Sequence, residues 1–399
     1  MFLSCSPIRR LYSLRARTIV GVERFDAIVV GAGPAGSTSA YRLAEAGAQV
    51  LLLDRQHFPR DKPCGGGLTY RAVRELPVPV DRVVEDVVDR FELGLRYGKR
   101  FERGGEGPLV LMTQRCRLDA HLAEQAAGAG ADFRDGQRVT SLEQDDGGAI
   151  VRCDGTAARA PVVIGADGVN GVTARTLGLA SRRFGVALEG NASYVHARED
   201  RWKGRAVVDL AAVPGGYAWV FPKGDHVNVG VGGWESEGPR LRDHLDRACA
   251  AYGLPADRLQ ALRGYRLPMR RPGDPAFSGR VLLVGDAAGL VDPLSGDGIY
   301  EALVSGRLAA ETALEVVGGK RSGLDAYGAK LDATLGRTLA ASWKAKLALE
   351  RFPRLVYEVA RLPLVWGFTA AFLRGDLAHP GEARGLVRAP LRLVETLGR

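Results

Sequence analysis

Cys64 is followed directly by three glycines, at the end of the run Phe58-Pro59-Arg60-Asp61-Lys62-Pro63-Cys64-Gly65-Gly66-Gly67-Leu68. A thiol set before residues without side chains can be carried by the backbone close against a flat ring. There it can donate a proton or line a cavity, although a lone cysteine more commonly serves as a small buried hydrophobe. A second signature is Tyr217-Ala218-Trp219-Val220-Phe221-Pro222-Lys223. Alternate residues of a strand share a face, so Tyr217, Trp219 and Phe221 make one aromatic wall. Such a wall can bind an apolar chain and ease positive charge on a nearby carbon by roughly 1–2 kcal/mol. Packed into an ordinary core, it would do neither. The third is Gly31-Ala32-Gly33-Pro34-Ala35-Gly36. Gly31, Gly33, Ala35 and Gly36 would let a pyrophosphate approach the N-terminus of a following helix, whose free N–H groups and dipole favour anions.

These residues need elements to position them. Phe25 to Val30 is an apolar run that predicts a buried strand, helical spacing follows from Pro34 to about Ala46, and Gln49 to Leu53 predicts the next strand. That is a βαβ unit, with Asp54 at the end of its second strand to accept hydrogen bonds from a ribose. Alone, it does not choose between FAD and NAD. Pro161 to Gly168 and Arg280 to Gly289 each run from an apolar strand into an Asp-bearing glycine turn, at Asp167-Gly168 and Gly285-Asp286. Pro293-Leu294-Ser295-Gly296-Asp297-Gly298 delivers the N-terminus of a helix reaching about Val316, with Asp297 as an ordinary cap or as part of an anion site. Leu118 to Ala127 predicts another helix, residues 184–275 a mainly antiparallel sheet with one helix at 239–252, and 324–399 largely helix. The expectation is an α/β (α+β overall) fold. A Rossmann-like cofactor domain is drawn from 25–75, 108–183 and 276–340, with an inserted β-sheet substrate domain from 76–107 and 184–275 and a helical C-terminal region at 341–399.

Gly31–Gly36, Pro161–Gly168 and Arg280–Gly289, in this order and spacing, resemble the FAD fingerprints of the para-hydroxybenzoate-hydroxylase-like flavoproteins. The resemblance implies bound FAD. It puts Gly285 and Asp286 at the ribityl chain, Asp167 where the flavin meets a reacting cofactor, and Arg115 near the phosphates or the flavin. Arg55, Cys64 and Gly65 join the expected cofactor contacts, as do Pro293, Gly296 and Gly298. One departure is Gly171, where such proteins often carry Ser. The segments around Cys64 and Trp219 are similar to hallmarks of the geranylgeranyl reductase family, which saturates carbon–carbon double bonds of isoprenoid chains; the resemblance spans roughly residues 25–375. It implies hydride transfer from reduced FAD to a geranylgeranyl or menaquinone-type chain. Cys64 is the leading proton donor and Tyr217, Trp219 and Phe221 hold the substrate. The aromatic motif is also similar to the Trp-x-Trp-x-Ile-Pro of flavin-dependent halogenases, which keeps a flavin monooxygenase or halogenase as the alternative. Cys-Gly-Gly-Gly tips the choice to the reductase. Further rivals are a flavoprotein that only shuttles electrons and a non-catalytic prenyl-lipid carrier. No second GxGxxG unit offers a nicotinamide site, so NADPH docking transiently or a ferredoxin-like protein would reduce the flavin.

Composition bounds the rest. A chain of 399 residues, 46% apolar and 25% charged, is ordinary for a globular enzyme. The net charge of +9 sits at the ends: five Arg against one Glu in residues 1–24, and ten basic against five acidic residues in 342–399. A neutral body argues against nucleic acid and suits an anionic membrane surface, here the inner face, for an otherwise cytoplasmic protein. Residues 1–24 are expected to be a disordered or targeting-like tail. The five widely spaced cysteines make neither a disulfide framework nor a metal site. Lys62, Lys223, Arg270 and Arg271 are expected on a solvated face, the alternative being a diphosphate or lipid headgroup. Arg384, Arg388 and Arg392 form a basic stripe for a membrane surface, with Pro390 expected to interrupt its helix.

Overall fold

The computed structural model describes residues 21–377 and 379–398, so nearly all of the basic N-terminal tail lies outside the described residues. Ala27–Val30, Val50–Leu53 and Val162–Gly165 are buried along their whole length. Continuous apolar runs of this kind suit a parallel sheet covered on both faces. They form the centre of a six-stranded sheet ordered Phe277–Ser278, Val281–Leu283, Val162–Gly165, Ala27–Val30, Val50–Leu53, Asp132–Arg134, with only the first strand antiparallel to its neighbour. Helices Pro34–Glu45, Arg115–Gly128 and Ile299–Val317 contribute to the apolar core on one face through residues such as Leu43, Ala123 and Leu308. Leu142, Val151 and Ala160 of a smaller four-stranded sheet cover Ile28, Leu51 and Val163 on the other. From Ala27–Val30 the chain steps outward to one side and later returns on the other, which opens a crevice at the strands' C-terminal ends.

Gly31 and Gly36 are where the chain could carry nothing else. Gly31 has φ +105°, and a Cβ there would collide with the Ala166 carbonyl; a Cβ on Gly36 would collide with Gly31 O. Gly306 likewise lets Ile299–Val317 cross Pro34–Glu45 so closely that Ser39 Oγ donates to Gly306 O at 2.9 Å.

Above the crevice stands a seven-stranded sheet, ordered Gln260–Pro268, Phe184–Ser193, His226–Trp234, Tyr217–Pro222, Arg205–Leu210, Arg90–Leu95, Arg100–Gly104. Its outer core, with Val207, Val220 and Val229, packs on Leu245 and Cys249 of helix Leu241–Tyr252. Residues 76–107 thus supply two edge strands here. Their third, Asp86–Val88, pairs instead with Val110–Met112, which also pairs Gly67–Thr69. The apolar Val110-Leu111-Met112, a strand unassigned from the sequence, draws it away.

The C-terminal region is helical: Asp325–Leu331, Arg337–Arg351, Pro353–Arg361, Pro363–Arg374 and Arg388–Leu397. Pro353 and Pro363 each start a helix, where a missing N–H costs nothing. The expected interruption at Pro390 does not occur. It lies in the first turn of Arg388–Leu397, for the same reason. Among the described residues no single helix is long and apolar enough to cross a membrane; Pro353–Arg361 and Pro363–Arg374 pass that test only as a pair bent by 84°.

Candidate functional site

A cavity of about 1050 Å³ lies between the crevice of the parallel sheet and the inner face of the seven-stranded sheet. That is at the top of the usual range for one small ligand, about 300–1,000 Å³, and leaves room for a cofactor together with substrate. At one end is the N-terminus of Pro34–Glu45, with no side chain capping it at Gly33. A Cβ on Gly33 would stand 3.6 Å from the Arg60 and 3.8 Å from the Arg115 guanidinium, so the turn opens toward two cations. Both belong to a buried cluster: Arg115 makes two hydrogen bonds to Asp119, and Arg60 Nη1 donates to Asp119 Oδ2 at 2.7 Å. Burial works against the Arg115 charge, and Asp119 more than restores it. Asp54 lines the same end, its Oδ2 accepting from Ala32 N–H at 2.9 Å, with the exposed Arg55 beside it. The open helix end, the side-chain-free turn and the flanking guanidinium groups fit the pyrophosphate half of FAD.

Midway, Gly285 and Asp286 follow strand Val281–Leu283. Asp286 Oδ2 accepts from Lys62 Nζ at 2.7 Å and from Tyr265 Oη at 3.0 Å. Burial alone would raise the Asp286 carboxyl, but Lys62 outweighs it and holds the group below its ordinary value. Gly298 faces this carboxylate, and Pro293 and Gly296 line the cavity beside it. Asp297 does act as a helix-start residue, its Oδ1 accepting from Ile299 N–H at 2.9 Å. Asp167 lines the cavity, but its carboxylate is turned into its own loop, accepting from Thr173 N–H at 2.9 Å and Thr173 Oγ1 at 2.5 Å. This explains Gly171: a Cβ there would occupy the space of the Asp167 carboxylate.

The far end holds the thiol loop and the aromatic wall. Cys64 N–H donates to Glu189 Oε1 at 2.7 Å, and Gly66 N–H to Cys64 Sγ at 3.4 Å. Lys223 is not on a solvated face as expected. It is buried and ties the loop down, donating from Nζ to Gly65 O at 2.6 Å and Thr113 O at 2.9 Å. Arg270 is also buried, and Lys62 largely so; only Arg271 is exposed. A Cβ on Gly65 would lie 2.9 Å from the Phe221 ring, so only glycine lets the loop graze the wall. Ring centroids are 5.9 Å apart for Tyr217 and Trp219 and 6.3 Å for Trp219 and Phe221. Trp219 is pinned by Nε1 donating to Asn228 Oδ1 at 2.8 Å, over the bare Cα of Gly230. Burial sets the protonation here: it pushes the Cys64 thiol up, Glu189 up to about 7 and Lys223 down to about 8. Cys153 and Cys249 are buried elsewhere, in the small-sheet and large-sheet cores.

The sequence-predicted site residues border this one cavity, except Gly36, which packs beneath the turn against Gly31 O. Sequence reasoning missed Glu189 and Tyr265. The only signal for Glu189 was a lone acid within the strand Phe184–Ser193.

The crevice, the glycine turn and the Asp286 loop define an FAD-dependent oxidoreductase. In agreement, residues 24–341 match the family model described as FAD binding domain. The chain is 35% identical over 312 residues to digeranylgeranylglycerophospholipid reductase 1 of Methanopyrus kandleri, covering 73% of this chain and 81% of that protein. It is 33% identical over 393 residues to a menaquinone reductase of Mycolicibacterium smegmatis, covering 92% and 95%. The crystal structure of a geranylgeranyl bacteriochlorophyll reductase-like protein from Thermoplasma acidophilum is similar, with a TM-score of 0.80 at 27% identity, over 94% of this chain and 100% of that one. The chain belongs to the geranylgeranyl reductase family of FAD-dependent oxidoreductases.

Proposed function

We propose that this enzyme saturates carbon–carbon double bonds of an isoprenoid chain, of geranylgeranyl or menaquinone type, laid along Tyr217, Trp219 and Phe221. The observation that carries the reading is the approach of the Cys64–Gly66 loop to that wall, close enough at Gly65 to exclude any side chain. Gly31, Gly33, Ala35 and Gly36 would hold the FAD pyrophosphate, with Asp54 at its ribose and Asp286, steadied by Lys62, at the ribityl chain. Bound and reduced, FAD supplies hydride. The protein must provide what an isolated alkene lacks, a proton for one carbon and tolerance of positive charge on the other.

Cys64 is held as a thiol by burial, which is the form that carries a proton. Glu189, hydrogen-bonded to the Cys64 backbone and poised near neutrality, is the second acid of the cavity. The aromatic faces ease developing positive charge by about 1–2 kcal/mol. The apolar walls exclude water that would otherwise compete for a cationic carbon. Asp167 acts through the turn that it holds shut. NADPH or a ferredoxin-like protein would reload the flavin. The substrate's residence in membranes fits the C-terminal helices, where Val356, Ala360 and Trp366 line the cavity while Leu355, Leu362 and Leu364 point outward, exposed beside Arg354 and Arg361.

The test is product mass. The holoprotein, supplied with reductant and a geranylgeranyl lipid or menaquinone, is expected to return the chain heavier by two hydrogens per bond. Oxygenated or halogenated product, formed only in air, would replace this reading with the monooxygenase or halogenase one.

A further inference from the structure

A second cleft, of about 400 Å³, opens behind the aromatic wall. Arg96, Arg240, Arg247 and His244 line it, with Glu350 as the one carboxylate. It shares Gly215, Gly216 and Leu349 with the main cavity, and Gly216 immediately precedes Tyr217, the last ring of the aromatic row. The two spaces therefore meet at one neck.

The charges around this neck are not balanced from within. Arg240 pairs with Glu237, and Glu350 accepts from Trp234 Nε1. Arg96 and Arg247, both exposed, have no ion-pair partner among the described residues. His244 is buried, with Nε2 3.0 Å from Glu237 Oε2 and Nδ1 without a hydrogen-bond partner among the described residues. At the neck itself Lys346 is 4% exposed, donates to the Gly215 carbonyl, lies 4.2 Å from the centre of the Trp234 ring, and forms no ion pair among the described residues. A buried ammonium whose direct partners are a carbonyl and a π-face is costly, and burial lowers its proton affinity to about 8 against the opposing pull of Glu350 and Asp292. A phosphate oxyanion entering the cleft would meet the guanidinium groups in the bidentate geometry they favour and offset that cost.

We infer that this cleft binds the phosphate or diphosphate end of the substrate, while its prenyl chain passes the Gly215-Gly216 neck onto the aromatic wall. The inference rests on the prenyl-chain reading of the main cavity and deepens it. It assigns Arg96, Arg240, Arg247, His244 and Lys346 to substrate selection, in favour of phosphate-bearing isoprenoids over a neutral quinone.

The experiment uses the holoprotein and the double variant R96Q/R247Q, whose side chains are exposed and whose loss leaves the core intact. First, inorganic diphosphate is titrated by calorimetry. The wild type is expected to bind it, and the variant at least tenfold more weakly; equal binding by both proteins overturns the proposal. This reading needs no turnover, so it stands or falls apart from the reductase activity. Second, KM is compared for geranylgeranyl diphosphate, a digeranylgeranyl phospholipid and geranylgeraniol. A rise of tenfold or more for the diphosphate alone assigns the cleft to a free prenyl diphosphate. A rise for the phospholipid alone assigns it to a lipid headgroup. An equal change for the uncharged alcohol would mean a structural role and would overturn it.

Discussion

Replacing Glu189 by Gln removes a charge while keeping the oxygen that accepts the Cys64 N–H. Burial raises the Glu189 carboxyl from 4.5 to about 7. For an acid raised by the fold the effect on stability is unfavourable, because the unfolded chain forms the charge more easily. The cost is absent below pH 4.5, grows as the pH rises, and is complete above about 7. The full span corresponds to about 3 kcal/mol. The carboxyl is only partly buried, which leaves about 1–2 kcal/mol. Denaturant unfolding at saturating FAD should therefore find Glu189→Gln more stable than wild type by that amount at pH 8, and nearly equal at pH 4.5. In single turnovers the variant should also lose an inflection near pH 7 from the pH–rate profile of alkene reduction. A stability difference that is the same at both pH values, or a variant less stable at pH 8, would refute the argument that the cavity holds this carboxyl near neutrality.

Cys64→Ser should keep FAD and the loop, yet slow single-turnover alkene reduction by about 10²-fold or more if the thiol gives the proton; an unchanged rate would reduce Cys64 to cavity lining. Gly36→Ala places a methyl against Gly31 O, so the purified protein should be colourless and less stable by at least about 1–3 kcal/mol, read from flavin absorbance and unfolding. Leu362→Glu with Leu364→Glu should abolish flotation with anionic vesicles while leaving FAD content unchanged, and raised salt should weaken wild-type flotation; binding that is indifferent to both would remove the membrane-surface proposal.

The glycine turn, its flanking strands and the aromatic alternation were legible because their constraints are local. Gly36 is dictated by the Gly31 carbonyl five residues before it, and the spacing of Tyr217, Trp219 and Phe221 follows from the pleat alone; Gly31 was legible only through the motif, because the atom that forbids a side chain there is the distant Ala166 carbonyl. What could not be read depends on pairs distant in the chain. Lys62 meets Asp286 across 224 residues, and Lys223 meets Gly65 O across 158. A lysine beside a turn is expected in water until two carbonyls are found waiting for it. Glu189 carried no motif, and its importance comes from the loop that another part of the chain lays over it. Asp167 shows the converse. Its motif was visible, but the use of its carboxylate depended on whether residue 171 had a Cβ.

The most direct test is anaerobic and stoichiometric. The flavin of the purified protein is reduced with one equivalent of dithionite, and a geranylgeranyl lipid is then added in the absence of any other electron acceptor. One flavin should be reoxidised for each pair of hydrogens gained by the chain, and none when the fully saturated lipid is used instead. A flavin that stays reduced with the unsaturated lipid, or that reoxidises equally with the saturated one, would contradict the reductase reading.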